Sequence, residues 1–180
     1  MNINNLEIID KNFNESMFIT RVNNIITKLF NGIMLQNIDD VRHNISDDVY
    51  SYATNIINDN KNKNLRRMYD ELNIKSTDIT NIYIDEIYYN IEVIVVLRYL
   101  DYYIKLDSGK YVSGDNKNRI IKNYRLLFKK KRKTNIQKNI RYCTNCGKAL
   151  DINNSGKCDY CNTFYNTEKY DYILESIEEL

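Results

Sequence analysis

Cys143-x-x-Cys146 and Cys158-x-x-Cys161, eleven residues apart, set four thiols where one metal ion can take them all. Each pair places two sulfurs on one tight turn, and two such turns can meet around a tetrahedral zinc. Gly147 follows the second cysteine, where the backbone of a metal knuckle curls back, often with positive φ. Asn162 holds the matching place after the fourth, and Asn tolerates that region better than most residues. Between the knuckles, Lys148 to Ile152 reads as a short strand and Asn153-Asn154-Ser155-Gly156 as a turn. Together these make a zinc ribbon with Cys143, Cys146, Cys158 and Cys161 as ligands. Two disulfides or four free thiols are the other readings. Pairs this close in sequence staple little, and no secretory signal precedes them. One structural Zn2+ is expected, because four thiolates leave no open position for water or substrate. Such an ion supplies on the order of 10–16 kcal/mol toward ordering its segment.

Two other groups of residues invite a chemical reading. Between Lys117 and Lys133 there are nine basic residues and no acidic one, ending in Lys129, Lys130, Lys131, Arg132 and Lys133. That run is a candidate anion-binding site, for nucleic-acid phosphates or an anionic membrane surface, with affinity falling steeply as salt rises. A solvated strand end is the plainer reading, since only Tyr124 and Phe128 lie nearby as aromatics for stacking on bases. His43, the only histidine, with Asp85, Asp101 and Tyr102, would have to converge in a cavity to catalyse anything. No Ser-His-Asp arrangement, glycine-rich phosphate loop or open metal site accompanies them. No catalytic residue is assigned, and the chain is read as a non-enzyme.

The elements that must carry these residues follow from period. At 180 residues the chain allows one ordinary domain plus a small appendage, and 43% hydrophobic residues suffice for a core. A net charge of +2 does not by itself announce a nucleic-acid protein. The sequence Met1-Asn-Ile-Asn-Asn-Leu-Glu lacks the marks of a signal peptide, and the longest apolar stretch, Ile91 to Ile104, is interrupted by charges. A cytoplasmic protein is expected. Phe18, Val22, Ile25, Ile26, Leu29, Phe30, Ile33 and Met34 form one helical stripe, capped by Asn14. A short helical piece lies around Asp39 to Asn44, and Ser46-Asp47-Asp48 opens a helix with Val49, Tyr52, Ala53, Ile56 and Ile57 on one side. Leu65, Met68, Tyr69 and Leu72 then resume helical spacing.

From Ser76 onward the period is that of strands. Ile79 to Asp85 is one strand. Tyr88 to Leu106 is a long one, with Ile91, Val93, Val95, Leu97 and Tyr99 on one face. Ser113-Gly114-Asp115-Asn116 reads as a turn; Ile120 to Phe128 after it also suits a helix, but the turn signals before it favour a further antiparallel strand. Helices followed by a curved antiparallel sheet make an α+β fold.

Three segments carry a family resemblance: Met68-Tyr69-Asp70-Glu71-Leu72, Val95 to Tyr102, and Gly109-Lys110-Tyr111-Val112-Ser113-Gly114-Asp115. The C-terminal third adds Cys143-Thr-Asn-Cys146-Gly147, Ser155-Gly156-Lys157-Cys158-Asp159-Tyr160-Cys161 and Tyr170-Asp171-Tyr172-Ile173-Leu174. From about Phe13 to the end the chain resembles bacterial Tim-44-like domain proteins that carry a zinc ribbon. The resemblance implies a cone-like fold of the nuclear-transport-factor-two type, with helices packed on a curved sheet around a pocket. It divides the chain into a Tim-44-like domain over 1–138, completed by a last strand within 167–180, and a ribbon over 139–166. Period alone leaves Tyr170 to Ile177 open between strand and helix. Tyr172 stands where the family usually has Trp, and the N-terminal membrane helix of many relatives is not seen here. The function implied is a binding or adaptor module, associated by family with protein transport, that holds a protein, peptide or lipid partner. Its pocket is expected to be apolar, lined by Phe18, Val93 and Tyr99.

Overall fold

The computed structural model describes residues 6, 10, 13–132, 141–143, 145–150, 157–163 and 171–180. Helix α1 (Glu15–Leu35) is followed by a short 3-10 helix (Asp39–Asn44) and helix α2 (Asp47–Asn62). The strands are β1 (Leu65–Ile84), β2 (Tyr88–Lys105), β3 (Tyr111–Lys131), the two-residue β4 (Arg141–Tyr142) and β5 (Ala149–Leu150), and β6 (Ile173–Glu179). β1, β2, β3 and β6 form one antiparallel sheet in that order, and β4 pairs with β5. The α+β expectation holds, and the closing segment is a strand.

The helices start where their caps are. The Asn14 side chain accepts the Met17 N–H at 2.9 Å, and Ser46 Oγ accepts the Val49 N–H at 3.2 Å, each satisfying an orphan amide of the first turn. Ser46 does more than cap. Its N–H donates to Leu174 O and its hydroxyl to Glu175 O, both at 2.9 Å, which fastens the start of α2 to β6. The α1 stripe read from sequence is the buried face, from Phe18 to Ile33.

β2 is the reference strand of the sheet. Ile91, Val93, Val95, Leu97 and Tyr99 are wholly buried against the helices, as their alternation requires. β1 departs from the sequence expectation: Leu65, Met68, Tyr69 and Leu72 lie in a strand, not a helix. The reason lies in three register shifts, at Asp70/Asn73, Ile74/Ser76 and Ile79/Asn81. Each adds a residue to β1 and resets its alternation. Core-side positions therefore fall at Tyr69, Leu72, Ile74, Thr77, Ile79, Ile82 and Ile84, in alternating steps of two and three. Mixed steps of this kind imitate a helical period over a short window. Glu71, in the first bulge, has φ 55.

β3 is longer than its sequence pattern suggested. The turn chemistry around Asp115 is present, for its carboxylate accepts the N–H of Lys117 at 2.9 Å and of Asn118 at 2.8 Å. It shapes a bulge and not a chain reversal: pairing resumes at Tyr99–Ile120 after Asp101–Asp115. Gly114 (φ 94) runs against β2, where a Cβ would lie 2.5 Å from the Asp101 carbonyl oxygen, so the position needs glycine. The β1 and β3 bulges flank the same rung of β2, and Glu71 and Arg119 form an ion pair between them. Leu100, on the face away from the helices, is only 8% exposed there.

Rings fill the interior. Phe18 packs edge-on against Phe128 (5.4 Å between centroids) and Tyr172 (5.3 Å). Phe30 meets Tyr69 at 4.9 Å and Tyr124 at 5.4 Å, and the Tyr99 and Tyr124 hydroxyls share a hydrogen bond of 2.8 Å. This corrects the expected pocket. Val93 and Tyr99 have no accessible surface and Phe18 is 4% exposed, so these three residues do not line an open pocket. Tyrosine supplies much of the bulk, with the Tyr99 and Tyr124 hydroxyls bonded to each other and the Tyr172 hydroxyl to Asp10.

One buried ion pair joins three distant parts of the chain. Lys130 on β3 donates to Asp10 at 2.6 Å, both side chains 4% exposed, and the Tyr172 hydroxyl donates to the same carboxylate oxygen at 3.2 Å. Burial first, then the neighbouring Asp10 charge, pushes the Tyr172 phenol well above its usual range. Lys130→Ala removes the lysine charge from beside a buried carboxylate and is expected to cost about 3–5 kcal/mol in urea unfolding. Lys117→Ala, exposed on the same strand, should cost under about 0.5 kcal/mol.

Candidate metal centre

Two turns of the same design carry the four cysteines. In the first, the Gly147 N–H donates to Cys143 O at 2.9 Å and the Cys143 N–H to Lys148 O at 2.8 Å. In the second, the Asn162 N–H donates to Cys158 O at 2.8 Å and the Cys158 N–H to Thr163 O at 3.0 Å. Gly147 has φ 69 and Asn162 φ 56, the left-handed conformation their positions led one to expect. The pairing of β4 with β5 closes the first knuckle at its base. Residues 151–156, expected to form the end of a strand and a turn, lie outside the described residues.

The sulfurs converge. All four lie within 4.8 Å of one another, with Cys143–Cys161 and Cys146–Cys158 each at 3.6 Å. A disulfide is about 2.05 Å long, and none of the four cysteines forms one. A tetrahedron with metal–sulfur bonds of about 2.3 Å has edges of about 3.8 Å, so the spacing suits ligation of one ion. Cys143 and Cys158 are buried, Cys161 half-buried and Cys146 exposed.

Sequence reasoning missed two polar residues at the site. The Asn145 side-chain amide donates to Thr163 Oγ1 at 3.0 Å, and that hydroxyl lies 3.3 Å from Cys161 Sγ, tying the knuckles together beside the sulfurs. The Thr163 hydroxyl, seconded by its backbone amide, holds the Cys161 thiol down at about 6. Cys146 is pushed up to about 12: a bond from the Lys148 amide lowers it, but desolvation and the other three sulfurs outweigh that bond. Ligation of a metal deprotonates such thiols outright.

The other candidates do not assemble. His43 sits part-way along the 3-10 helix, buried. Asp85 closes the β1–β2 turn, accepting from the Tyr88 amide at 2.6 Å, the Ile87 amide at 2.8 Å and the Asn90 side chain at 2.8 Å. Those bonds hold its carboxyl below the usual range. Asp101 accepts two bonds from Arg67, at 2.9 and 2.6 Å, on the helix side of the sheet, while Tyr102 donates to Asp70 on the opposite face. At about 3.3 Å per residue, Asp85 and Asp101 stand roughly 40 Å apart along β2.

The basic run is distributed by the pleat of β3. Lys129 pairs with Glu175 at 2.6 Å, Arg125 with Glu178 at 3.0 Å, and Lys122 with Glu179, all across to β6. Lys130 is the correction among the proposed anion ligands. It points inward to Asp10 because alternation puts it on the core face. Lys131 stands 5.9 Å from the Tyr88 ring centroid, and the Arg132 guanidinium donates to Asp85 O at 3.0 Å. Lys133 lies outside the described residues.

The family model for the Tim44-like domain matches residues 2–139. The chain belongs to that family. No curated protein matches it. The matched span takes in both helices and β1 to β3, and stops short of the cysteines and of β6. Among the described residues, no helix is long and apolar enough to cross a membrane.

Gly147 has open space where a Cβ would go, so its requirement is purely conformational. Gly147→Ala is expected to cost about 1–2 kcal/mol of left-handed strain, read as a five- to thirtyfold loss (approximately) of metal affinity in chelator competition. Asn162→Gly should leave the affinity within about twofold, because glycine accepts the same φ.

Proposed function

We propose that this Tim44-like chain is a non-catalytic binding module whose four cysteines hold one structural zinc ion. The observation that carries the reading is the closed donor set: four sulfurs at tetrahedral spacing, with no position left for water or substrate. Zinc suits four thiolates in a tetrahedron. Iron suits them too, and the two differ in colour. Zinc would fix the geometry of two short turns that have little apolar surface of their own to hold them.

The partner in this reading is a protein or peptide held on the outer surface. Its support is the ring-filled interior at Phe18, Val93 and Tyr99, which leaves a lipid tail nowhere to enter beside those residues. Nucleic acid or an anionic membrane would compete with Glu71, Glu175, Glu178 and Glu179 for Arg119, Lys129, Arg125 and Lys122. The lack of convergence among His43, Asp85, Asp101 and Tyr102 supports the non-enzymatic half of the proposal.

Metal analysis of the purified chain is expected to give one zinc per chain. Affinity should fall as pH drops, because protons compete for the four thiolates. A colourless chain with no metal and four freely titrating thiols would contradict the zinc assignment. For the binding half, the immobilised chain is expected to retain a defined protein or peptide at about 0.15 M salt. Mixed RNA and DNA should show no retardation on a gel at that salt. Retention of nucleic acid or vesicles in place of protein would reverse the choice of partner.

A further inference from the structure

The four sulfurs are unequal in a patterned way. The second cysteine of each knuckle reaches solvent, Cys146 being exposed and Cys161 half-buried, while the first of each, Cys143 and Cys158, is buried. Each accessible sulfur has the buried sulfur of the opposite knuckle at 3.6 Å: Cys146 beside Cys158, and Cys161 beside Cys143. A solvent-facing thiolate next to a second, sheltered sulfur is the arrangement that reversible thiol oxidation requires. The first meets the oxidant, and the second condenses with the sulfenic acid before it is oxidised further.

We propose, resting on the zinc reading above, that the cluster is a peroxide-sensitive modification site forming two crossed disulfides, Cys146–Cys158 and Cys143–Cys161. In the first half of each reaction the accessible thiolate attacks one peroxide oxygen. The O–O bond breaks, and hydroxide leaves and is protonated to water. In the second half the buried thiolate attacks the sulfenic sulfur, the S–O bond breaks, and the departing hydroxide takes up a proton to become a second water. Each disulfide thus takes two electrons from two thiolates, and one hydrogen peroxide plus two protons becomes two waters. Closing from 3.6 Å to about 2.05 Å asks each pair to move by roughly 1.5 Å. Sulfurs tied in disulfides are no longer thiolate ligands, so oxidation and metal retention exclude each other. Crossed linkage also keeps the knuckles face to face, and reduction restores the ligand set in place.

The test uses the full chain as purified, its metal content measured first. Hydrogen peroxide is added stepwise while a colorimetric chelator reports free zinc, and unreduced peptides are mapped by mass spectrometry. The expected result is one zinc released per two disulfides, linkages Cys146–Cys158 and Cys143–Cys161, and recovery of binding with a dithiol reductant. Local linkages Cys143–Cys146 or Cys158–Cys161 would overturn the proposal. So would sulfinic or sulfonic acids without disulfide, or four intact thiols. If the initial analysis finds no metal, the zinc reading alone fails, and the linkage map of the same chain still decides the crossed pairing.

Discussion

The inward row of β2 sets a demand that the rest of the body meets. Its side chains alternate strictly, from Tyr89 through Tyr99, and each must find an inward partner on β1 and on β3. β1 meets the demand only by inserting extra residues at three bulges, and β3 by one larger excursion after Asp115. Unequal strand lengths over the same rungs bend and twist a sheet. The bend falls where the Glu71–Arg119 pair joins two bulges and where Tyr69, Tyr99, Tyr124 and Phe30 interlock beneath. Curvature and aromatic packing are therefore one solution, not two. Each ring pair adds about 0.5–1.5 kcal/mol beyond its buried area, and such contacts form only if the strands are held at that angle.

Charge along β3 serves two different ends. Toward β6, three basic side chains meet three acidic ones near the surface, where each pair is worth about 0–1 kcal/mol and mainly favours one partner strand. Toward the core, Lys130 meets Asp10 and Tyr172 out of water. Such a buried pair adds little net stability, but breaking it costs several kcal/mol. It joins Asp10 and Tyr172 to β3 beside the Phe18–Phe128 contact. The closing strand, though outside the span matched by the family, is thus tied into the sheet through backbone, surface charge and core.

The cysteine unit obeys a separate logic. Its turns are held by short-range hydrogen bonds within each knuckle, and the sulfurs bring one knuckle to the other. Among the described residues, none of this unit belongs to the apolar cluster that orders the body. The Asn145–Thr163 hydrogen bond and the Lys148 ammonium, 5.6 Å from the Tyr160 ring centroid, add side-chain ties between the knuckles.

The sequence by itself determined whatever depends on local spacing and on backbone preference. That covers both helices with their Asn14 and Ser46 caps, the inward face of β2, and the ligand knuckles with left-handed Gly147 and Asn162. Only the tertiary structure decided what depends on register between strands. It turned the apparent helix at Leu65–Leu72 into a bulged strand and the Asp115 turn into an excursion of β3. It filled the expected pocket with rings, and it sent Lys130 inward to a carboxylate 120 residues away. A bulge changes the phase of a strand without changing its composition, and an ion pair across such a separation leaves no periodic trace. Neither can be read until the neighbouring strand is in place.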